Sequence, residues 1–561
     1  IRRHRDQGDF RACHRTKAYS TPRVSRRAAG RAAADQRREP AADPAADAPE
    51  AFSGASWAAD WPTWQKDLSG SRSNRAERRI TPDNVENLRL KWAFTHPQPK
   101  GLPDGVRLTA RSQPAVVNGV AYFGSTDGKF YAVNARTGKT KWELDLNEVN
   151  SGSGFTAVRN SPAVSGGKIF FGDYAGHLYA VDQKSGELVW STKIDNHPQG
   201  LTTSSPIVHG GRVYVGVSSA ENTGGIETAC CTFRGHVDAL DANTGALVWR
   251  HYTVPEAKAV GTWPNGATRY EPSGGGVWSS PVIDPSTRTL YVGTGQNYTG
   301  KEGETDTVLA LDIANGEVRW KRQMTFPDVW RQVCADPSAP PGYCPGAKEG
   351  AALDYDFGAM PNIFSANGRK LVGIGQKNGM YHVFDAHTGE VVWQRQLGKP
   401  WPNGGVGGIQ WGASYDGKRL YVATWFADPG SLFALDPATG RTLWETKHPA
   451  NGCSTGGAAK HPEVCALANT PAVSTSPGLV YEGSADGKMR AYSAENGKVL
   501  WEFDTIREFQ GVNGLTGHGQ GISGGAVIAD GVLYVNSGYF GQYGRFYPTD
   551  KGSVLLAFSL R

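Results

Sequence analysis

Hydrophobic and polar positions alternate along most of this chain in short runs bounded by Gly, Pro, Asn and Asp. That is the two-residue period of half-buried strands, and helix-period patterns are almost absent. One unit recurs: Ala-x-(Asp/Asn/Ser)-x-x-(Thr/Ser/Asn)-Gly-x-x-x-Trp. It occupies 132–142, 180–190, 239–249, 310–320, 434–444 and 491–501, and with Val in place of Ala 383–393. Each Trp lies ten residues after its Ala or Val. Ahead of each unit stand two further strand-like runs, for example Ser161-Pro162-Ala163-Val164 and then Lys168-Ile169-Phe170-Phe171-Gly172. Four short strands, a Gly turn and a closing Trp per unit predict the blade of a β-propeller.

The ends of the chain supply one more blade. Residues 554–560 read as a third strand with no closing Trp, and 88–92 (Leu-Arg-Leu-Lys-Trp) as a closing strand with no blade before it. Joined, they bring the number to eight and remove the open sheet edges of an unclosed ring. The expected fold is therefore all-β: an eight-bladed propeller of four-stranded antiparallel blades over 53–561, docked by repeated tryptophans and closed by the N- and C-terminal strands.

Composition changes this picture at one end. Residues 1–52 carry twelve Lys or Arg against seven Asp or Glu, which is +5 of the whole chain's +6. This Ala- and Arg-rich stretch reads as a disordered basic leader. No apolar stretch follows its Arg pairs, so they do not read as a twin-arginine export signal. The remaining charge is near zero and gives no nucleic-acid footprint. No run is long and apolar enough to be a transmembrane segment. Six cysteines beyond Cys13 fall into three local pairs, 230/231, 334/344 and 453/465. Close, even pairing predicts disulfides and an extracytoplasmic protein, periplasmic or secreted. No Cys-x-x-Cys-His occurs, so no covalent c-type haem is expected.

The chemistry gathers on one face. Loops entering a blade's first strand and loops leaving its second open on the same side of a propeller, opposite the Thr-Gly turns. In the third blade Thr203 enters, and Ser218 and Glu221 leave. In the fourth, Trp278 enters after Gly274-Gly275-Gly276, and Gln296-Asn297 leave. In the fifth, Asp354-Tyr355-Asp356 enter, and Gln376-Lys377-Asn378-Gly379 leave. Three consecutive blades thus aim carboxylates, amides, a Lys and a Trp at one axial mouth. An oxygen-rich cluster of this kind suits Ca²⁺ or a similar hard cation, and a flat aromatic beside it suits a planar cofactor.

With these residues in register, the chain from about residue 57 onward resembles the pyrroloquinoline-quinone (PQQ) dependent alcohol dehydrogenases. Cys-Cys-Thr-Phe-Arg-Gly at 230–235 and Gly-Gly-Ile-Gln-Trp-Gly at 407–412 are similar to poly(vinyl alcohol) dehydrogenases in particular. The resemblance implies PQQ and Ca²⁺ or a lanthanide as cofactors. It implies Glu221 as a metal ligand and Trp278 as the ring on which the quinone stacks. Gln296, eighteen residues after Trp278, falls where the family has a metal-binding Asn; either the longer Gln reaches the metal or Asn297 substitutes. Thr203 and Ser218 match residues that bond the quinone carboxylates, and Lys377 the one that contacts its carbonyls. Asp354-Tyr355-Asp356 matches the stretch with the catalytic Asp. Ungapped counting makes Asp354 the base and Asp356 the extra carboxylate of lanthanide enzymes; a shift of two residues exchanges the roles. In methanol-type enzymes an adjacent-cysteine disulfide covers the quinone, but it lies earlier in the chain than Cys230 and Cys231. Those two and Arg234 complete the implied cofactor set.

The implied reaction is oxidation of an alcohol or a hydroxylated polymer, with electrons leaving to an external acceptor such as a cytochrome c. A quinoprotein acting on sugars or polyols remains open, with substrate choice in the insertions at 329–352 and 448–467. So does a non-catalytic propeller scaffold of the outer-membrane assembly lipoprotein type.

Overall fold

The computed structural model describes residues 59–98, 111–150, 156–223, 229–402, 404–425, 429–539 and 545–560. The basic leader expected over 1–52 lies outside them.

The described residues form eight antiparallel blades in chain order: 115–145, 163–193, 207–252, 282–323, 362–396, 414–447, 474–504 and a composite eighth. The third blade carries an extra two-residue strand, Gly200–Leu201, paired with the end of Arg212–Ser219. The eighth joins Gly521–Ala529, Val532–Tyr539 and Val554–Ser559 to the N-terminal strand Arg89–Thr95. Trp92 lies opposite Ala557 there, and Thr95 opposite Val554. The two ends of the chain therefore close the ring as the repeat predicts.

The recurrent unit folds the same way each time. In the third blade Asp241 accepts the amides of Asn243 and Thr244, both at 2.9 Å, and so turns the chain between the last two strands. Gly245 then takes φ +72°, a left-handed conformation that glycine adopts without strain. A Cβ on Gly245 would also come within 2.7 Å of the Trp190 ring, so glycine admits the tryptophan of the blade before. The Trp190 indole N–H donates to the Ala242 carbonyl at 3.1 Å. Trp249, Trp320 and Trp444 make the equivalent bond to Ile313, Ala386 and Ala494. At the seam Trp501 donates to Leu88, and Trp92 to Ala135. These rings and hydrogen bonds dock one blade to the next, and the apolar cores lie between blades.

A segment that the repeat does not reveal runs across the end of the axial channel. Trp61 pairs with Val116 of blade 1, and the Pro62 carbonyl accepts from Val164 of blade 2. The Gln65 amide donates to Ser205 and Pro281 at the entries of blades 3 and 4. Ser69 bonds Ile363 of blade 5, Ser71 bonds Tyr415 of blade 6, Arg72 bonds Val473 and Thr475 of blade 7, and Asn74 bonds Ile528 of blade 8. Residues 61–74 therefore touch all eight blades in order. Arg72, fully buried, lies 4.5 Å from the Trp64 ring centre and donates to the Trp64 and Val473 carbonyls, Gln113 and Ser474. No helix among the described residues is long and apolar enough to cross a membrane.

Candidate active site

A cavity of about 470 Å³ opens at the axial mouth. Thr203, Ser218, Trp278, Gln296, Asp356 and Lys377 line it, with Arg111, Arg159, Trp330 and Trp411. One register accounts for much of the wall. Arg111, Arg159, Thr203, Trp278 and Gly358 each stand three residues before the proline that enters blades 1 to 5: Pro114, Pro162, Pro206, Pro281 and Pro361. In blades 1 to 5 that position lines the cavity, and the two arginines follow from the same register.

The Trp278 ring rests flat against Gly358, where a Cβ would lie 1.8 Å from ring atoms. Glycine is required there if the indole is to lie across the floor. The Trp278 N–H donates to Asp356 Oδ2 at 3.1 Å, and the Gln296 amide N–H to Asp356 Oδ1 at 2.7 Å. Lys377 Nζ stands 2.9 Å from Asp354 Oδ1, 2.9 Å from Asp356 Oδ2 and 5.2 Å from the Trp278 ring centre. Asp354 holds a left-handed backbone, φ +61°, and its second oxygen accepts the Gly405 amide. Thr203 and Ser218 join their hydroxyls at 3.3 Å.

Charge in this region is unbalanced. Asp354, Asp356, Asp328 and Asp306 are all buried, and Lys377 is the cation that answers them. Burial pushes the Asp354 carboxyl up to about 7, against the pull of Lys377 and with the push of Asp356. Burial and then its acidic neighbours raise Asp306 well above the carboxylate range, and neither of its oxygens has a hydrogen-bond donor. Burial opposes the charge of Lys377, yet the two adjacent carboxylates raise its pKa and keep it protonated. A buried acid poised near neutrality beside a fixed ammonium is an arrangement for taking up and releasing a proton.

Asp354 stands behind Lys377 and is not itself in the cavity lining, which Asp356 and Lys377 reach, and the other residues expected at the site face elsewhere. Glu221 is buried outside the cavity lining. Its carboxylate accepts the Thr232 and Phe233 amides, each at 2.9 Å, and the Ser273 hydroxyl at 3.2 Å, with His197 Nε2 at 3.4 Å. Burial raises its pKa, but the His197 contact and the two amides outweigh this and hold it below the ordinary value. Cys230 and Cys231 form a disulfide behind Glu221 and are buried away from the lining. Arg234 donates to the Val254 carbonyl and lies over the Tyr252 ring at 3.7 Å. The Asn297 amide donates to Glu302 and accepts from Thr305. Of the two insertions, 329–352 reaches the cavity through Trp330, whereas 448–467 contributes nothing to the lining. The expected pairs Cys334–Cys344 and Cys453–Cys465 are formed, which fits an oxidising compartment.

Comparison with known proteins decides the family. A family profile described as "Glucose/ethanol/alcohol dehydrogenase, beta-propeller domain" matches residues 61–343. The polyvinylalcohol dehydrogenase of a Pseudomonas species is 32% identical over 89% of this chain and 77% of its own length. The chain belongs to the PQQ-dependent alcohol dehydrogenases. Among solved structures, the quinohemoprotein alcohol dehydrogenase of Comamonas testosteroni superposes with a TM-score of 0.64 at 21% identity, covering 90% of this chain and 80% of that one. A europium-containing methanol dehydrogenase gives 0.63 at 20% identity, covering 90% and 98%. At these identities the likeness is one of fold. A second profile, that of the outer membrane protein assembly factor BamB, matches residues 377–536. Those blades share the bare repeat, while the buried acids around Lys377 sit mainly in blades 4 and 5 and the segment between them. This quinoprotein is accordingly an oxidoreductase, not a scaffold.

Proposed function

We propose that this quinoprotein oxidises secondary alcohols, including those of hydroxylated polymers, outside the cytoplasm, and passes electrons to a separate acceptor such as a cytochrome c. The observation that carries the reading is the Asp354–Lys377–Asp356 cluster beside Trp278. The cavity fits a flat, polyanionic cofactor: the indole face above Gly358 offers a stacking surface, and Arg111, Arg159 and Lys377 supply positive charge around it. When bound, PQQ supplies the hydride acceptor. Trp278 would orient the ring, while Thr203 and Ser218 would bond its carboxylates. Asp354 takes the hydroxyl proton from the alcohol. Lys377 holds the Asp354 carboxylate in place and balances its charge as the proton arrives. The oxygen donors suited to a hard cation at the cavity are Asp356 and the Gln296 amide. The Glu221 carboxylate is already engaged by two amides, Ser273 and His197, and the Asn297 side-chain oxygen by Thr305.

The polymer reading leans on the similarity to polyvinylalcohol dehydrogenase, and the acceptor on the similarity to a relative named lupanine 17-hydroxylase (cytochrome c). The decisive experiment loads the protein with PQQ and Ca²⁺ or La³⁺, follows binding by calorimetry, and measures dye reduction with primary alcohol, secondary alcohol, polyvinyl alcohol and glucose. Turnover led by secondary alcohol and polymer is expected. Turnover with glucose alone would establish the sugar enzyme instead, and no PQQ binding would remove the whole reading.

A further inference from the structure

Asp328 lies outside the cavity and is 1% exposed, yet it ties together both loops that carry the proposed proton acceptor and its neighbours. Its Oδ1 accepts the amides of Leu353 and Asp354 at 3.1 and 2.9 Å, and its Oδ2 that of Tyr355 at 2.6 Å. Three successive amides thus converge on one carboxylate, an arrangement that binds anions strongly because the peptide dipoles all point inward. The middle one belongs to Asp354, whose backbone is left-handed, a conformation uncommon outside glycine although Asp and Asn enter it more readily than most. The main chain of the same stretch clasps the other loop: the Asn297 amide donates to the Asp328 carbonyl at 3.1 Å, and the Trp330 amide to the Asn297 carbonyl at 2.9 Å. The Val329 amide returns to Ala351 at 2.7 Å. The residues beside Gln296 and the residues around Asp354 are therefore referenced to one short segment, 328–330.

We propose that Asp328 is a positioning residue for the alcohol oxidation: its carboxylate sets the backbone of 353–355 and thereby holds the Asp354 carboxylate against Lys377, which lines the cavity. The inference rests on Asp354 being the base. Asp328 touches neither the cavity nor Lys377; beyond the push its charge adds on the Asp354 carboxyl, it acts through the loop geometry, where a displacement of about 1 Å costs on the order of 10²-fold in rate.

The test compares the full chain, loaded with PQQ and Ca²⁺, as wild type, Asp328→Asn and Asp354→Asn. Residue-resolved amide hydrogen exchange and steady-state kinetics are measured on each. Asn keeps one acceptor oxygen and sets an NH₂ against the third amide. Asp328→Asn should speed exchange at Leu353, Asp354 and Tyr355 by about tenfold or more. It should lower kcat by roughly 10- to 100-fold and leave the KM for alcohol and the PQQ affinity within about twofold. Wild-type exchange at those amides, or faster exchange with unchanged kcat, overturns the positioning role. Should Asp328→Asn fail to fold, the wild-type protein decides: exchange at the rate of an unbonded loop at 353–355 overturns it. Full turnover in Asp354→Asn removes the base assignment itself, and that failure appears in that variant alone.

Discussion

The loop that leaves the second strand occurs in both blade 5 and blade 7 and has been put to opposite uses. After Arg369–Gly375 the chain reads Gln376-Lys377-Asn378-Gly379, and after Leu479–Gly483 it reads Ser484-Ala485-Asp486-Gly487. Both end on a glycine with positive φ, and both bury a charge. In blade 7 the charge is answered. Asp486 meets Arg490 at 2.7 Å and His448 at 3.5 Å, accepts from Ser484, and Arg490 also reaches Glu502 at 2.7 Å. Burial alone would raise Asp486, but Arg490 and His448 override it and hold the carboxyl far below its usual range. In blade 5 one ammonium faces several buried acids, and Asp354 is left near neutrality. The cost of burial is common to both clusters. The balance of partners decides whether the cluster is an inert brace or a proton-exchanging site.

The comparison predicts a separation of effects. Asp354→Asn should lower alcohol-dependent dye reduction by roughly 10²–10⁴-fold while leaving the unfolding midpoint close to that of the parent. Loss of fold instead of rate would make the blade 5 cluster a brace like the other. Asp486→Asn should do the reverse. Breaking a buried pair costs about 3 kcal/mol, read by denaturant unfolding at pH 7, with turnover per folded molecule unchanged. Because the folded carboxyl is depressed, its contribution is fully present above the unfolded value of 3.8. The gap between parent and variant should therefore close as pH falls below that value.

Smaller effects sharpen the contrast. If Asp354 is the base, the chemical step should weaken about tenfold per unit as pH falls below about 7. A flat profile from pH 5 to 8 in single-turnover measurements would count against it. At the rim, blades should be interchangeable. Trp249→Phe, Trp320→Phe and Trp444→Phe each remove one indole hydrogen bond. Each should cost about 1 kcal/mol in calorimetry and nothing in turnover. Unequal costs would show that the docking contacts are specialised blade by blade.

The sequence alone determined the number of blades, their register, the ring closure and the three cysteine pairs. It also determined which loops face the axis, which sets Thr203, Trp278, Gln296 and Lys377 at one mouth. These are properties of a local period: strand alternation, the turn at Asp–Gly and a Trp ten residues on repeat within each blade and need no distant partner. The tertiary structure decided what each buried polar group bonds. Glu221 turns from the mouth because the Thr232 and Phe233 amides of its own loop, with Ser273 and His197 from other loops, take its lone pairs. Asp328 is satisfied because the chain returns 25 residues later with the first of three amides. The segment 61–74 follows the ring because all eight blades present donors and acceptors to it in turn. A buried hydrogen bond is chosen among groups brought together by the closed ring, and no period along the chain encodes that choice.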